Sequence, residues 1–473
     1  MDRLGTHCST RLGSRLLPAP HQIEKDALSV DHQYLSLHAI TTFSAVLLNR
    51  DENNLPKELV YGQVTRTRVS SQSWRRAERM YMRKRANDGE GPLAGHAFGI
   101  RTREWAIATA DALEELGWPS GRANDMARLA LEHCGLTMGD PDTDPMKTKV
   151  AIFAPAGTGK KLAAVLHSPP VSLDDWFDQE TDRLSKEAEK RAADRKAKKD
   201  KKRPTAGSAD SEQTTPAVTP IPKKVRDALV AALAPADAID IALYGRMLAE
   251  IAEAPNVDGA IQSMHAFTVD PAEVDDDFFT AVDDRKHDRK EAARTAFDAI
   301  DGWSGDDAGA AMTGYQSLTS GTFYRNAVLD RAQLRRNLER AGIPVEDVEE
   351  LAEAAERAYT ESFCFSVPTA KQNNTGAPGT LPKLVLAVSG SRPVNYASAF
   401  EQALTGNGQP VSIMAAKQLL RQHNFAAARL PGISAGRALT YDADIAAYVL
   451  GEDDSMGVAA VESAEGLLHG RLP

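Results

Sequence analysis

The chain has 473 residues, a formal net charge of -10 and a hydrophobic fraction of 42%. This length suits two or three average domains, or one domain with large insertions. The acidic balance argues against a protein coated in positive potential, although a nucleic-acid binder can still concentrate its basic residues locally. The three cysteines form no Cys-x-x-Cys pair, which argues against a disulfide framework and a thiolate zinc site. Without a signal-peptide core or an apolar run near the roughly 18 residues of a membrane span, we expect a cytoplasmic protein.

The first part of the chain combines an aperiodic start with alternating strands and helices. Residues 1–33 are rich in Arg, His, Ser and Pro, and we interpret them as a flexible extension. Ser70 or Ser71 can accept a hydrogen bond from the first turn of the helix that follows and so cap it. The elements predicted here are strands at 34–40 and 63–69, a helix at 72–85, two helices within 100–135, a strand at 149–153, and helices at 160–167 and about 173–202.

The second part begins with a linker at 204–222, whose Pro, Ser, Thr and Ala content predicts disorder. Residues 270–316 are acidic at first and Gly-rich at the end, and a loop of this length is typically functional or disordered. The other predicted elements are strands at 239–243, 260–269, 322–329 and 383–388 and helices at 331–340 and 344–363. Helices between non-adjacent strands favour a ferredoxin-like α+β sheet.

The densest basic segment spans residues 57–85, where nine basic residues stand against Glu58 and Glu78. Spacing of i, i+4 and i+8 places three of its arginines on one helix face. The start of that helix offers free backbone N–H groups, and guanidinium groups bind phosphate by bidentate hydrogen bonds. A phosphate-backbone track and a solvated basic helix face both fit this pattern. The basic residues are Lys57, Arg66, Arg68, Arg75, Arg76, Arg79, Arg83, Lys84 and Arg85.

Residues 154–161 (APAGTGKK) nearly spell a phosphate-binding P-loop between a strand and a helix. A P-loop needs a Ser or Thr hydroxyl on magnesium after its lysine, and here Lys161 takes that position. We therefore interpret the segment as a Gly-containing turn from strand to helix. Nucleotide binding abolished by Lys160→Ala would support the alternative of a P-loop nucleotidase.

The long acidic loop carries two further candidates. The carboxylates of residues 275–277 and 283–284 resemble ligands of a hard cation, but the Gly and closing Glu of an EF-hand loop are missing, which favours a solvated acidic stretch. Phe278 and Phe279 are too apolar for such a stretch, so they are either core anchors or a wedge between nucleobases. His265, on a predicted apolar strand, is expected to be a hydrogen-bonded core histidine. No pair of residues makes a convincing nucleophile and base, so we expect no enzyme activity, no metal and no cofactor.

Several segments, taken together, resemble the CasC family, the backbone subunits of the type I-E CRISPR surveillance complex (Cascade). The resemblance spans roughly residues 34–400, and each segment alone is weak. The segments are LLNRDE at 47–52 with Lys57 and YG at 61–62, RVSSQSWRRA at 68–77, IDIALYGRM at 239–247, VDGA at 257–260, HA at 265–266, FFTAVDD at 278–284, SGTFYR at 320–325 and AKQ at 370–372.

The resemblance implies an RNA-recognition-motif-like palm with a helical fingers insertion and a β-hairpin thumb. Residues 34–473 would then be a single domain with insertions, the fingers at about 86–235 and the thumb at about 270–316. It also implies that several copies polymerise along a guide RNA, hold its phosphate backbone and flip bases at intervals, with guide pairing reading the target DNA. The implied partners are guide RNA, target DNA, further copies of the chain and the other Cascade subunits.

The same resemblance assigns site residues. Met247, Phe279 and Thr280 would pinch the displaced nucleotide. The basic residues and their neighbours would line the RNA backbone, and the motif at 370–372 would add two more contacts. The implied RNA-backbone residues are Asn49, Arg50, Lys57, Ser70, Gln72, Arg75, Arg76, Arg79, Lys371 and Gln372. The alternative is a metal-dependent RNA nuclease that uses thumb aspartates, namely Asp276, Asp277, Asp283 or Asp284.

Overall fold

The structure of the chain is a computed structural model that describes residues 32–200, 219–233, 238–248, 250–251, 256–282, 285, 310–450 and 457–468. For residues 187–188, 190–200, 280, 282, 310–313 and 434–435 the description is limited to the backbone. The predictions for residues 1–33 and for the linker at 204–222 fall almost wholly outside the described residues, and those for Asp283 and Asp284 fall wholly outside them.

The described residues form twelve strands and twelve α-helices, which confirms the predicted α+β class. The strands are β1 (Tyr34–Val46), β2 (Glu58–Tyr61), β3 (Val64–Val69), β4 (Gly99–Thr102), β5 (Ile152–Pro155), β6 (Ile261–Ser263), β7 (Ala266–Thr268), β8 (Glu273–Val282), β9 (Ala310–Asp330), β10 (Leu384–Gly390), β11 (Ile433–Thr440) and β12 (Val458–Val461). The helices are α1 (Ser71–Asn87), α2 (Trp105–Glu115), α3 (Ser120–His133), α4 (Thr158–His167), α5 (Asp174–Asp200), α6 (Lys223–Ala232), α7 (Ile239–Tyr244), α8 (Arg331–Arg340), α9 (Val345–Phe365), α10 (Gln372–Thr375), α11 (Val411–Ala427) and α12 (Ala443–Val449).

One large sheet organises the fold, in the strand order β12-β11-β10-β1-β9-β7-β3-β2. Strands β6 and β8 also pair with β9, at two different parts of that long strand. All of these pairs are antiparallel except β11–β12. Strand β1 is central: it pairs with β10 from Tyr34 to Ile40 and with β9 from Tyr34 to Phe43 before a register shift.

Helices cover both faces of this sheet. In β1, Leu35 and Leu37 belong to a core that also contains residues of α1, α8 and α9. Ile40 belongs to a second core on the other face, which α11 and α12 complete. Because successive side chains of a strand point to opposite faces, a central strand between two helix layers is buried on both. Burying one such side chain stabilises the fold by about 1.5–3 kcal/mol.

A second group of helices forms its own core, apart from the sheet. Side chains of α2, α3, α4, α5 and α6 pack together in it, and the two-stranded pair β4–β5 borders it. The two helices predicted within 100–135 are confirmed as α2 and α3, and Trp118 and Pro119 lie between them. Helix α6 was missed because its short amphipathic pattern directly follows the Pro-rich linker.

The predicted strand at 239–243 is wrong, because these residues form helix α7. All six of its side chains are buried, and a short apolar run gives no periodicity that separates a buried strand from a buried helix. The helix ends at Gly245, whose positive φ of +77° glycine adopts readily because it has no Cβ.

Two other strand predictions need correction. The single strand predicted at 260–269 is broken into β6 and β7, with Met264 and His265 between them. The strand at 383–388 is confirmed as β10, but it is not the last one, since β11 and β12 follow. Sequence patterns missed these two strands because both contain several Ala or Gly residues, which have low strand propensity.

The acidic segment after residue 270 is not an irregular loop where it is described. Strand β8 pairs with the first half of β9 from Glu273 opposite Ser320 to Ala281 opposite Met312. We call this two-stranded segment the ribbon. Strand β9 then continues from the ribbon into the central sheet beside β1. In the described part of the chain, no helix is both long enough and apolar enough to cross a membrane.

Candidate nucleic-acid interface

The start of α1 is fixed by two polar side chains. Ser70 is the N-cap, and its Oγ accepts from the backbone N–H of Ser73 at 3.4 Å, so the structure selects Ser70 over Ser71 as the cap. The Oδ1 of Asn49 accepts from the backbone N–H of Ser70 at 3.0 Å. This bond ties the loop that follows β1 to the start of α1.

The hairpin β2–β3 places two cations beside this helix start. The backbone N–H of Lys57 donates to Asn49 O at 3.2 Å, and the backbone N–H of Arg68 donates to Lys57 O at 2.7 Å. The Arg68 side chain donates from Nε to Glu58 O at 3.2 Å. Both side chains are half-buried, and no acidic side chain in the described residues pairs with either of them.

His265 joins these cations from the turn between β6 and β7. Its Nδ1 accepts from the backbone N–H of Ser71 at 2.9 Å. The side chain is exposed, so the predicted core position is wrong; the predicted strand breaks at this residue. Partial burial, together with the nearby charges of Arg68 and Lys57, holds the pKa of His265 below its usual value. We call Lys57, Arg68 and His265 the helix-start cluster.

The arginines of α1 divide into two groups. Arg75 donates from Nη2 to Tyr244 O at 2.9 Å and to Ile261 O at 3.4 Å. Arg79 forms an ion pair with Asp240 at 3.3 Å, and its guanidinium lies 4.3 Å from the centre of the Phe153 ring. These two side chains are therefore held by acceptors of the chain itself.

Arg76 and Gln72, which share a helix face at i and i+4, are both exposed. Within the described residues, no carboxylate pairs with Arg76. The arginine face predicted from the spacing of Arg75, Arg79 and Arg83 thus contains side chains engaged within the chain, and the neighbouring Arg76 is the more accessible cation.

Beneath the arginines, α1 buries an acid. The stripe that α1 turns inward contains Trp74, Glu78 and Met82 at i, i+4 and i+8. Tyr244 donates from Oη to Glu78 Oε2 at 3.0 Å, and Arg325 lies 3.7 Å from Glu78 Oε1. Burial raises the pKa of Glu78, and the charge of Arg325 opposes that rise.

Arg325, on β9, is enclosed on every side. Its guanidinium lies 3.9 Å from the centre of the Trp74 ring and 4.0 Å from that of Phe363, and it also donates to Phe363 O. Flat guanidinium groups stack well on aromatic faces. This arrangement joins α1, β9 and α9 into one unit behind the helix-start cluster.

Arg66, another member of the basic segment, is fully buried. It donates to Thr268 O at 2.8 Å and to Phe400 O at 3.2 Å, and burial lowers its pKa. Arg50 differs again: it is exposed, and its Nη1 donates to Asn54 Oδ1 at 3.1 Å within the loop before β2.

Met247 lies just beyond α7 and is 79% exposed. The preceding Arg246 anchors the segment, because its backbone pairs with Val257 and its guanidinium donates to Leu233 O. Gly245 permits this path, since a Cβ there would stand 2.6 Å from Val257 O. The described residues of its own chain thus leave the Met247 side chain uncovered.

The ribbon exposes aromatic side chains on both faces. Phe279 is 39% exposed and lies across Gly314, where a Cβ would stand 2.6 Å from the ring. Phe278 and Tyr315 form a cross-strand pair on the opposite face, with ring centres 5.1 Å apart. Thr280 follows Phe279 in β8, but its side chain is outside the description. Phe278 and Phe279 are therefore not core anchors.

The carboxylates of the ribbon are exposed along β8, and Asp276 accepts from Ser317 Oγ at 2.7 Å. Among the described residues, no three His, Cys, Asp or Glu side chains come together as metal ligands.

Lys371 and Gln372 are exposed at the start of the short helix α10. The flanking residues Val367 and Ala377 pack in one cluster with Trp74 of α1. This packing places the segment near the start of α1. Lys371 has a φ of +55°, a left-handed conformation that is uncommon for a residue other than glycine.

The near P-loop at 154–161 has a packing reason for one of its glycines. A Cβ on Gly159 would stand 2.8 Å from Ala108 O, so α4 approaches α2 closely there. Lys160 pairs with Glu115 at 3.3 Å on the surface.

The match to a family model shows to which family the chain belongs. A family model described as CT1975-like protein matches residues 35–445. The chain belongs to the CT1975-like protein family. No curated protein matches this CT1975-like chain.

Two solved structures are similar to this CT1975-like protein. One, described as "CRISPR RNA-guided surveillance complex, pre-nicking", aligns with a TM-score of 0.64 and 27% identity over 91% of this chain and 96% of the other. A second, described as "CRISPR RNA-guided surveillance complex", aligns with a TM-score of 0.58 and 24% identity over 92% and 97%. At 24% identity, the similarity to the second structure indicates a shared fold alone.

Sequence reasoning did not select two residues that the structure of this CT1975-like protein gathers with Lys57. Arg68 was counted in the basic segment but not chosen, and His265 was assigned to the core. A local signal for His265 was absent, because its position depends on a strand break and on a contact with Ser71, which lies far away in sequence.

Proposed function

We propose that this protein is a CasC-type backbone subunit of a type I-E RNA-guided CRISPR surveillance complex. It polymerises along a guide RNA in the cytoplasm, holds the RNA backbone and leaves its bases free to pair with target DNA. Membership of the family over residues 35–445 supports this role, as does similarity to a surveillance-complex chain over 91% of this chain. We further propose that the subunit itself is not catalytic.

The observation that carries the proposal is the helix-start cluster with its exposed neighbour Arg76. In a protein of net charge -10, Lys57, Arg68 and Arg76 lie at or beside one helix end, with no described carboxylate paired to them. Cations without a carboxylate partner suit the phosphates of a nucleic acid, whose binding releases condensed counterions. Asn49 and Ser70 hold this surface in place through their backbone contacts.

The strand order supports an RNA-recognition-motif-like palm. Strands β1, β6, β9 and β10 occur in the spatial order β10-β1-β9-β6, and all three pairs are antiparallel. Helix α1 follows the first of these strands and α9 precedes the last, as in a β-α-β-β-α-β unit. Helices α11 and α12 occupy the opposite face, so the RNA runs past the helix start rather than across the sheet.

In this proposal, Arg75 and Arg79 support the structure of the RNA-binding surface. They hold α7 against α1, and α7 leads directly to Met247. The exposed Met247 and the ribbon residues Phe279 and Thr280 then pinch the displaced nucleotide, with neighbouring copies of the chain completing each pinch. Lys371 and Gln372 add contacts from α10.

The test is to tag the full chain, purify it from its native host and sequence the nucleic acid that co-purifies. We expect short RNAs of uniform length, with spacer sequence between repeat-derived ends, together with other subunits. The double variant Lys57→Ala/Arg76→Ala should recover less RNA, whereas Lys160→Ala, which removes an exposed charge on α4, should not. A nucleic-acid-free monomer from a host that expresses its CRISPR locus would contradict the proposal.

The nuclease alternative has its own readout. Magnesium-dependent cleavage of complementary RNA at regular spacing, lost in Asp276→Asn or Asp277→Asn, would establish it and would overturn the non-catalytic role. We expect the purified complex to leave complementary RNA intact.

A further inference from the structure

The first turn of α1 is less open to an anion than its sequence indicates. The N–H of Ser73 already donates to Ser70, and the N–H of Ser71 already donates to His265 Nδ1. A phosphate that approaches this helix start would find those two donors occupied. Recognition therefore depends on the side chains that surround the turn.

His265, which accepts the bond from the Ser71 N–H, can itself donate from its second ring nitrogen, Nε2. When Nδ1 of a neutral imidazole accepts a hydrogen bond, the ring carries its proton on Nε2. No described residue forms a hydrogen bond with Nε2 of this exposed side chain. A donor whose ring already accepts a bond from a helix N-terminus is polarised and donates more strongly.

The surroundings of His265 select the neutral ring. Protonation would turn Nδ1 into a donor that faces the Ser71 N–H. Arg68 and Lys57 add two positive charges nearby, which also oppose a third. The result is a neutral N–H donor near two cations, an arrangement that suits one phosphate oxygen at the neutral donor and two charged contacts beside it.

We propose that His265 is a phosphate-contacting residue of the guide-RNA path, which donates from Nε2 to a phosphodiester oxygen held between Lys57 and Arg68. This inference rests on the proposed function and adds to it a residue and the manner of its contact. Because the contact is a neutral hydrogen bond, it contributes affinity without releasing a counterion.

Two substitutions separate the two nitrogens of the ring. His265→Asn places an acceptor near Nδ1 and so keeps the bond to Ser71, but it has no donor at Nε2. His265→Gln reaches the Nε2 position with an amide donor. We would measure the affinity of the full chain for labelled single-stranded guide RNA over a range of salt concentrations, with thermal unfolding as the control for folding.

We expect His265→Asn to weaken RNA binding about tenfold, the usual cost of losing one hydrogen bond to a charged group, and His265→Gln to retain most of the affinity. The slope of log K against log salt should stay unchanged in both. In Lys57→Ala and Arg68→Ala it should fall by about 0.7 each, the value for one phosphate contact on a single strand.

Several results would overturn the inference. One is wild-type affinity in His265→Asn. Another is a larger loss of affinity and of thermal stability in His265→Gln than in His265→Asn, since only Asn keeps the bond to Ser71 and that result assigns His265 to helix capping alone. A third is a slope of log K against log salt that falls in His265→Asn as much as in Lys57→Ala, since that result would show a cationic contact at His265. If the wild-type chain binds no RNA while it remains folded, the proposed function itself fails and this inference fails with it.

Discussion

Two groups of cations at α1 use the same residue types for opposite purposes. Lys57 and Arg68, beside its start, and Arg76, on its exposed face, have no described carboxylate partner. Along its body, Arg75 and Arg79 are held by Tyr244 O, Ile261 O and Asp240.

The contrast shows that charge density alone does not distinguish a cation that binds a ligand from one that supports the fold. What distinguishes them is whether the chain supplies acceptors nearby. We therefore expect substitutions in the engaged group to lower stability and substitutions in the accessible group to weaken RNA binding.

The largest effect is expected from Arg325→Met. This change leaves Glu78 buried without its cation, and the loss of one partner of a buried pair costs about 3–5 kcal/mol. Chemical denaturation should show this loss in the free energy of unfolding. Arg76→Met is the matched control and should change stability by less than about 0.5 kcal/mol. A loss for Arg325→Met as small as that of the control would contradict the buried unit described here.

A smaller loss of stability is expected from Arg79→Met. Asp240 is buried, and it would keep the hydrogen bond from the Gly99 N–H but lose its ion pair. Leaving a buried acceptor partly unsatisfied costs about 1–3 kcal/mol. The same denaturation measurement applies, with Lys84→Met, an exposed cation of the last turn, as the control. Equal stability of the two variants would place Arg79 with the ligand-facing residues.

RNA binding should show the opposite pattern: the substitutions that leave stability nearly unchanged should weaken the salt dependence of binding, and the destabilising ones should not. Lys57→Ala and Arg76→Ala should each lower the slope of log K against log salt by about 0.7 and leave the unfolding free energy nearly unchanged. Arg79→Met should leave the slope as it is, because its charge is already neutralised by Asp240. A slope that falls in Arg79→Met but not in Arg76→Ala would reverse the division.

The smallest effect concerns pH. Partial burial, together with the charges of Arg68 and Lys57, lowers the pKa of His265 from its usual value and so favours the neutral ring. Lysine and arginine side chains in general keep their charge through this range. A bound phosphate would favour the protonated ring, but the Ser71 N–H opposes it. Between about pH 8 and 6.5, RNA affinity should therefore stay constant within about a factor of two.

A tenfold rise in affinity as the pH falls through this range would indicate proton uptake on binding, and hence a charged His265. His265→Gln is the control, since it cannot take up that proton.

Local sequence signals located many elements correctly. Helix α8 spans Arg331–Arg340 as predicted, and α1 begins one residue before the predicted start because Ser70 is its cap. Both helices combine a capping residue with a strong 3.6-residue period. The elements that failed, such as α7, are short and uniformly buried, so no period distinguishes a strand from a helix.

The candidate site was predictable only in part. Dense basic residues pointed to α1 and the strand before it, and the Phe pair pointed to the ribbon, where both rings are exposed. Which arginines the folded chain would bury or pair was not predictable from the sequence. Arg66, for example, donates to carbonyls of Thr268 and Phe400, which lie hundreds of residues away in sequence.

The α+β content, the cap and period of α1, and the location of the basic segment were predictable because they depend on neighbouring residues. Which cations stay accessible was not predictable from neighbouring residues. Their accessibility depends on carboxylates and carbonyls that the fold brings beside α1 from distant parts of the chain, as Asp240 does for Arg79 and Tyr244 O does for Arg75. A charge that finds such a partner supports the fold, and a charge that finds none remains available to a ligand.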